Sequence, residues 1–236
     1  MADRAGAGIG GGVRIVCLGD SLTWGRYGGS YVDALARLKP QHTWLNAGVG
    51  GDTVVNLLRR LESDVFAHSP DAVLVMIGCN DAISSVYPAT RPYFQHSKKV
   101  PGGLVSLDAF GYAYRDLLEQ LQLSHLEGWV VLEPAEYSSA LDEALRAYNQ
   151  RARAAAETLS LPVLDLYTAM RPTAFVERPP LGLDTIQLIG RRGQAGWDDY
   201  EAERLRGGYH FTFDGLHPTP DGAVQIAEWI NPFIPS

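Results

Sequence analysis

Cysteine is almost missing from this 236-residue chain: Cys17 and Cys79 are the only two. Both stand in apolar surroundings, where a cysteine is more often a buried, reduced side chain than half of a disulfide, and the pair matches no metal-ligand spacing. A disulfide framework and a cysteine metal centre are therefore excluded as the basis of the fold. Long apolar runs are missing too. The longest, AVLVMI at 72–77, is far short of the ~20 residues that cross a bilayer, so no membrane insertion is expected. Positive charge is in deficit: 20 Lys and Arg face 27 Asp and Glu, for a net charge of -7 and a pI near 5.3. Phosphate backbones are held mainly by Lys and Arg, so no nucleic-acid partner is expected either.

Targeting and cofactor signals are equally sparse. The opening MADRAGAGIGGGVRIVCLGD lacks the apolar core and cleavage signature of a secretory signal, which points to a cytoplasmic protein. Gly6, Gly8 and Gly11 spell G-x-G-x-x-G, but they precede the first strand, whereas a dinucleotide fingerprint follows a strand and opens a helix. Residues 1–12 read instead as a flexible leader, and 13–236 as a single domain without internal repeats or low-complexity linkers. His42, His68, His96, His125 and His210 are scattered without ligand spacing, so neither a metal nor any other cofactor is expected.

What is present is a hydrophobic share of 46%, enough for a substantial core. Short apolar, β-branched runs at 13–18, 42–46, 72–77, 129–132 and 162–166 read as buried strands. Helical spacing separates them: Asp52 can cap a helix carrying Val55, Leu58, Leu61, Val65 and Phe66, and 31–38, 107–123, a long stretch from Ser139 to before Pro162, and 221–229 are helical as well. About five alternations of strand and helix predict an α/β protein, a parallel sheet covered by helices on both faces. Two stretches break the rhythm, 84–103 and 167–213. Loops of that length in a compact domain are usually functional or disordered, and their aromatics, among them Tyr93, Phe175, Trp197 and Tyr200, favour an ordered lid beside a site.

Ligands of open parallel sheets bind beyond the carboxyl ends of the strands. The segments expected there are GDSLTWG (19–25), NAGVGGDT (46–53), GCND (78–81) and, after the fifth strand, DGLHP (214–218). Together, and in this order, they resemble the four consensus blocks of the GDSL/SGNH hydrolase family, over most of the chain from Gly19 to His217. The resemblance implies a flavodoxin-like three-layer α/β/α sandwich with a five-stranded parallel sheet. It also implies Ser21 as nucleophile, His217 as base with Asp214 as its orienting acid, and the Ser21 N–H, Gly51 and Asn80 as oxyanion donors.

The residue chemistry agrees with those roles. A serine hydroxyl is a poor nucleophile until an imidazole takes its proton, and an aspartate three residues before that histidine can hold one ring nitrogen protonated and leave the other free. The oxyanion of a tetrahedral intermediate needs donors already aimed at it. Blander readings exist for each residue. Ser21 alone would be read as a helix cap, Gly51 as a turn glycine, Asn80 as a turn former and His217 as a surface residue before Pro218; the presence of all four blocks outweighs them. No G-x-S-x-G is centred on Ser21, which argues against the α/β-hydrolase elbow.

The expectation is a carboxylic ester hydrolase acting on a small-molecule ester with a short acyl or acetyl group, through an acyl-enzyme. Trp24 and Asp20, beside the nucleophile, are candidates for the substrate pocket. Acyl transfer or thioester cleavage on the same residues, and a non-catalytic binding module, are the alternatives, and a homo-oligomer remains open. Arg191, Arg192, Arg204 and Arg206 could meet an anionic leaving group, but the interspersed Asp198, Asp199, Glu201 and Glu203 suggest a self-compensating surface. The family's fold sets the first and third strands side by side, so a Cys17–Cys79 bridge is conceivable there, though a reducing compartment disfavours it.

Overall fold

In RIVCLG, five consecutive apolar or small residues follow a single arginine, the pattern of a strand covered on both faces. In the computed structural model, which describes residues 12–235, this run forms β1 (Arg14–Gly19). The chain continues through α1 (Ser21–Trp24), α2 (Tyr31–Leu38), β2 (Thr43–Gly48), α3 (Val54–Arg59), α4 (Leu61–Asp64) and β3 (Ala72–Met76). There follow α5 (Cys79–Val86), α6 (Arg91–His96), α7 (Leu107–Leu123), β4 (Glu127–Val131), α8 (Ser139–Thr158) and β5 (Val163–Leu164). The last third holds α9 (Leu166–Met170), α10 (Leu183–Gln194), α11 (Tyr200–Gly207) and α12 (Pro220–Ile230).

All neighbouring strands are parallel, in the order β2-β1-β3-β4-β5. The chain steps outward from β1 to β2 and then crosses back to β3, and that reversal opens a crevice over the carboxyl ends of β1 and β3. Gly19 is level with Gly48 on one side and Met76 on the other. The first three post-strand segments therefore leave the sheet at one height.

Alternation along the strands builds two cores. Val16 and Leu18 pack with α3, α7 and α8 on one face, and Ile15 and Cys17 with α2 and α12 on the other. Each fully buried Leu, Ile or Val contributes roughly 1.5–3 kcal/mol by leaving water. Cys79 begins α5 instead of ending β3, and its side chain joins the first core while Cys17 joins the second. Both are free thiols. Adjacent strands do not help a bridge when the side chains point to opposite faces.

The structure moves several sequence-based boundaries. Thr53, not Asp52, caps α3, in a reciprocal capping box with Asn56. Asp52 instead receives Arg60 Nε at 2.8 Å and Lys98 Nζ at 2.9 Å. The fifth strand is only two residues long, and Leu166 already starts α9. The two long stretches are not loops: 84–103 carries the end of α5 and α6, and 167–213 carries α9, α10 and α11. The leader expected over 1–12 lies, apart from Gly12, outside the described residues. Among the described residues, no helix is long and apolar enough to cross a membrane.

Candidate active site

The turn after β1 is set by Asp20, whose side chain caps the single-turn helix α1 by accepting the Leu22 N–H at 3.0 Å. Gly25, in the left-handed region at φ 70°, ends that helix. Ser21 thus stands at a helix start, above the β1 end of the crevice. A Cβ on Gly19 would collide with Thr23 and with the Met76 carbonyl of β3, so only glycine lets α1 sit this close to the sheet.

His217 arrives from the far end of the sequence on a closed loop. The Phe213 N–H donates to the His217 carbonyl at 3.0 Å, and Thr212 and Pro218 form an antiparallel bridge. Inside this loop Asp214 Oδ1 accepts the N–H groups of Leu216 and His217 at 2.9 and 2.7 Å, while Oδ2 lies 2.7 Å from His217 Nδ1. His217 Nε2 lies 3.0 Å from Ser21 Oγ. Phe213 stacks on the imidazole at 5.9 Å and Tyr27 meets it edge-on at 5.4 Å, which fixes the plane of the ring.

Electrostatics follow from the same contacts. Burial opposes charge on His217, but the charge and hydrogen bond of Asp214, with a contribution from Asp20, outweigh it and raise the imidazole above its usual 6.5. Burial likewise opposes ionised Asp214, yet the His217 ring and the two loop N–H groups hold its carboxyl below the ordinary range.

Asn80, the second residue of α5, donates from Nδ2 to Asp20 Oδ2 at 2.6 Å. Gly51 sits at φ 78°, and a Cβ there would strike the Tyr93 hydroxyl, so both backbone freedom and close approach call for glycine. Among the described residues, neither the Ser21 nor the Gly51 N–H has a hydrogen-bond partner within the protein.

Ser21, His217, Gly51 and Asn80 border one cavity of 450 Å³. Trp24 and Tyr27 wall one side, Tyr93 comes from α6, and Leu181, Ile186 and Ile189 come from the stretch around α10. Asp20 borders it as well, but is fully buried with both oxygens accepting hydrogen bonds. Three of the four arginines of the suspected basic patch are compensated: Arg192 and Arg206 pair with Glu203, and Arg204 with Glu201, while Arg191 forms no ion pair among the described residues.

Two buried acids near the site escaped sequence reasoning. Glu136 is 4% exposed and accepts the N–H groups of His210, Phe211 and Thr212 at 2.9, 3.1 and 2.9 Å, together with the Thr212 hydroxyl at 2.8 Å, so it anchors the His217 loop. Glu133, just past β4, is fully buried and accepts the Cys79 N–H at 2.6 Å. The only signal was position: both lie in LEPAEY, which leaves the carboxyl end of a buried strand.

Residues 17–224 match the family model described as GDSL-like Lipase/Acylhydrolase family. The chain belongs to that family. As a GDSL-family member it is a carboxylic ester hydrolase. No curated protein matches it. Among solved structures, it is similar to a lipase/acylhydrolase from Enterococcus faecalis, with 20% identity, a TM-score of 0.61, and 94% of this chain and 95% of that one covered. The acetyl xylan esterase AlAXEase gives 18% identity and a TM-score of 0.65 over 94% and 100% of the two chains. Axe2, an acetylxylan esterase from Geobacillus stearothermophilus, gives 20% and 0.63 over 94% of each. At these identities the GDSL fold is what is shared.

Proposed function

We propose that this GDSL hydrolase cleaves small carboxylic esters with short acyl groups through an acyl-enzyme on Ser21. The observation that carries the reading is the unbroken chain from Asp214 through His217 to Ser21, at 2.7 and 3.0 Å, opening into an aromatic and aliphatic cavity. In the first step Ser21 Oγ bonds to the ester carbonyl carbon while His217 Nε2 takes its proton, and the carbonyl π pair moves onto oxygen. The N–H groups of Ser21 and Gly51 and the Asn80 amide receive that oxyanion. Collapse breaks the bond to the alcohol, whose oxygen takes the proton from His217. Water then repeats the sequence on the acyl-enzyme, releasing the acid and restoring Ser21.

A short acyl group is supported by the cavity's size, since 450 Å³ must hold acyl and alcohol portions together. It is also supported by the acetyl xylan esterases among the structural relatives. Thioester cleavage and transfer of the acyl group to an alcohol would use the same residues and differ only in leaving group and acceptor. The test is hydrolysis of p-nitrophenyl esters of increasing chain length by the wild type and Ser21→Ala. Acetate or butyrate should turn over fastest, with Ser21→Ala slower by about 10⁴-fold or more at unchanged melting temperature. Equal rates for the two proteins would refute the assignment. Partition of the acyl group between water and added alcohols separates hydrolysis from transfer.

A further inference from the structure

Behind the oxyanion donors lie two carboxyl groups that the reaction itself does not use. Asp20 and Glu133 are both fully buried, and consecutive residues of α5 reach them: the Cys79 N–H donates to Glu133 and the Asn80 amide to Asp20. Asp20 has an N–H on each oxygen: Leu22 N on Oδ1 at 3.0 Å and Asn80 Nδ2 on Oδ2 at 2.6 Å. Glu133 accepts the Cys79 N–H on Oε2, while its Oε1 is buried with no N–H or hydroxyl donating to it. Two carboxylates buried side by side are costly to ionise together, and a bare carboxylate oxygen out of water is costly as well. A single proton held between them removes both costs. Asp20 is filled with donors and suits the anion; the one free oxygen is Glu133 Oε1.

We propose that Glu133 is a positioning residue for the oxyanion site: as a neutral acid it donates from Oε1 to Asp20, which in turn holds the Asn80 amide and the first turn of the Ser21 helix. The relay joins the carboxyl ends of β1, β3 and β4, and the Glu133 backbone is pinned by Asn149 of α8 on both its N–H and its carbonyl. Other charges favour the same proton. Burial, then the charge of Asp20, raise Glu133 well above the carboxylate range, and burial pushes Asp20 up to about 6. The groups whose charges act on the pair are Cys79 and Asp81 on α5, Tyr31 on α2, Tyr93 on α6, Tyr114 on α7 and His217 on the C-terminal loop. Of these His217 alone can bear positive charge, and it acts on Asp20, favouring Asp20 as the ionised member.

The inference rests on the ester-hydrolase reading, so the experiment is set up to fail separately from it. Glutamine keeps an N–H donor toward Asp20 and an oxygen for Cys79, whereas leucine keeps neither. In the infrared spectrum at neutral pH, the wild type should show the carbonyl band of a protonated carboxylic acid that Glu133→Gln lacks. On p-nitrophenyl acetate, Glu133→Gln should retain kcat within about threefold, and Glu133→Leu should lose about 10- to 100-fold in kcat with KM changed less than threefold, a displaced donor costing less than the about 100- to 1000-fold of a removed one. Burial raises the Asp81 carboxyl too, so the reading is the wild-type minus Glu133→Gln difference: a difference spectrum without an acid carbonyl band overturns the proposal, as does a Gln variant that fails to fold or is as impaired as Leu. If Glu133→Leu does not fold, the spectrum and the Gln rate decide. Turnover that persists in Ser21→Ala would condemn the ester-hydrolase reading instead.

Discussion

The loop that carries His217 and the helical cover over the cavity are neighbours built in opposite ways. The loop is packed and saturated: Glu136 has five hydrogen-bond contacts, Asp214 has three, and Thr212 has no exposed surface. The cover is loose by comparison. No residue of α11 is buried, Ile186 and Ile189 of α10 are only partly so, and its arginines pair with Glu201 and Glu203 near the surface. The difference separates two tasks. Proton transfer tolerates little displacement, and a misplacement of ~1 Å can cost about 100-fold. Selection among esters needs only shape, and one methylene in such a pocket changes preference by about 10- to 200-fold.

That contrast breaks most visibly at Glu136. Glu136→Ala strands three peptide N–H groups in the loop, so it should lower stability by about 3 kcal/mol or more. It should also cut kcat by about 100-fold as His217 loses its register. Chemical denaturation and steady-state kinetics check both, and a variant of normal stability and rate would show that the loop is held by something else. The cover should respond far more mildly. Ile186→Ala should shift the optimum ester toward longer chains and change kcat/KM on acetate by less than about tenfold, with stability within about 1 kcal/mol of the wild type. Loss of turnover on every chain length would mean that α10 orders the chemistry as well as the pocket.

What was legible in the sequence follows the same division. Strands β1 and β3 are continuous apolar runs and the long amphipathic helices carry one strong period, and α2 and α7 fall where the apolar spacing places them. Ser21 and the Asp214-x-x-His217 pair could be read because four blocks in the family's order accompany one another; alone, Ser21 reads as a helix cap and His217 as a surface residue. α10 and α11 were hidden because Gly182, Gly190, Gly193 and dense charge blur the helical period. The cap of α3 was misassigned because Asp52 and Thr53 are both good cap formers, and only tertiary structure reveals that Arg60 and Lys98 claim Asp52. Glu133 and Glu136 are harder still. A glutamate in a short connection reads as solvated unless its partners, over 50 residues away in the chain, are known.

The central claim is that His217, held by Asp214, activates Ser21. The folded-state imidazole is raised above 6.5, so its proton is retained to higher pH than in a free histidine, and the neutral base is lost as pH falls through that raised value. The most direct measurement is the rate of covalent labelling by a fluorophosphonate as a function of pH, with the modified peptide mapped. The account predicts a single adduct on Ser21, formed at a rate that declines on the acid side with an apparent pKa above 6.5. An adduct on another residue, or labelling of Ser21 at a rate unchanged down to mildly acid pH, would contradict it.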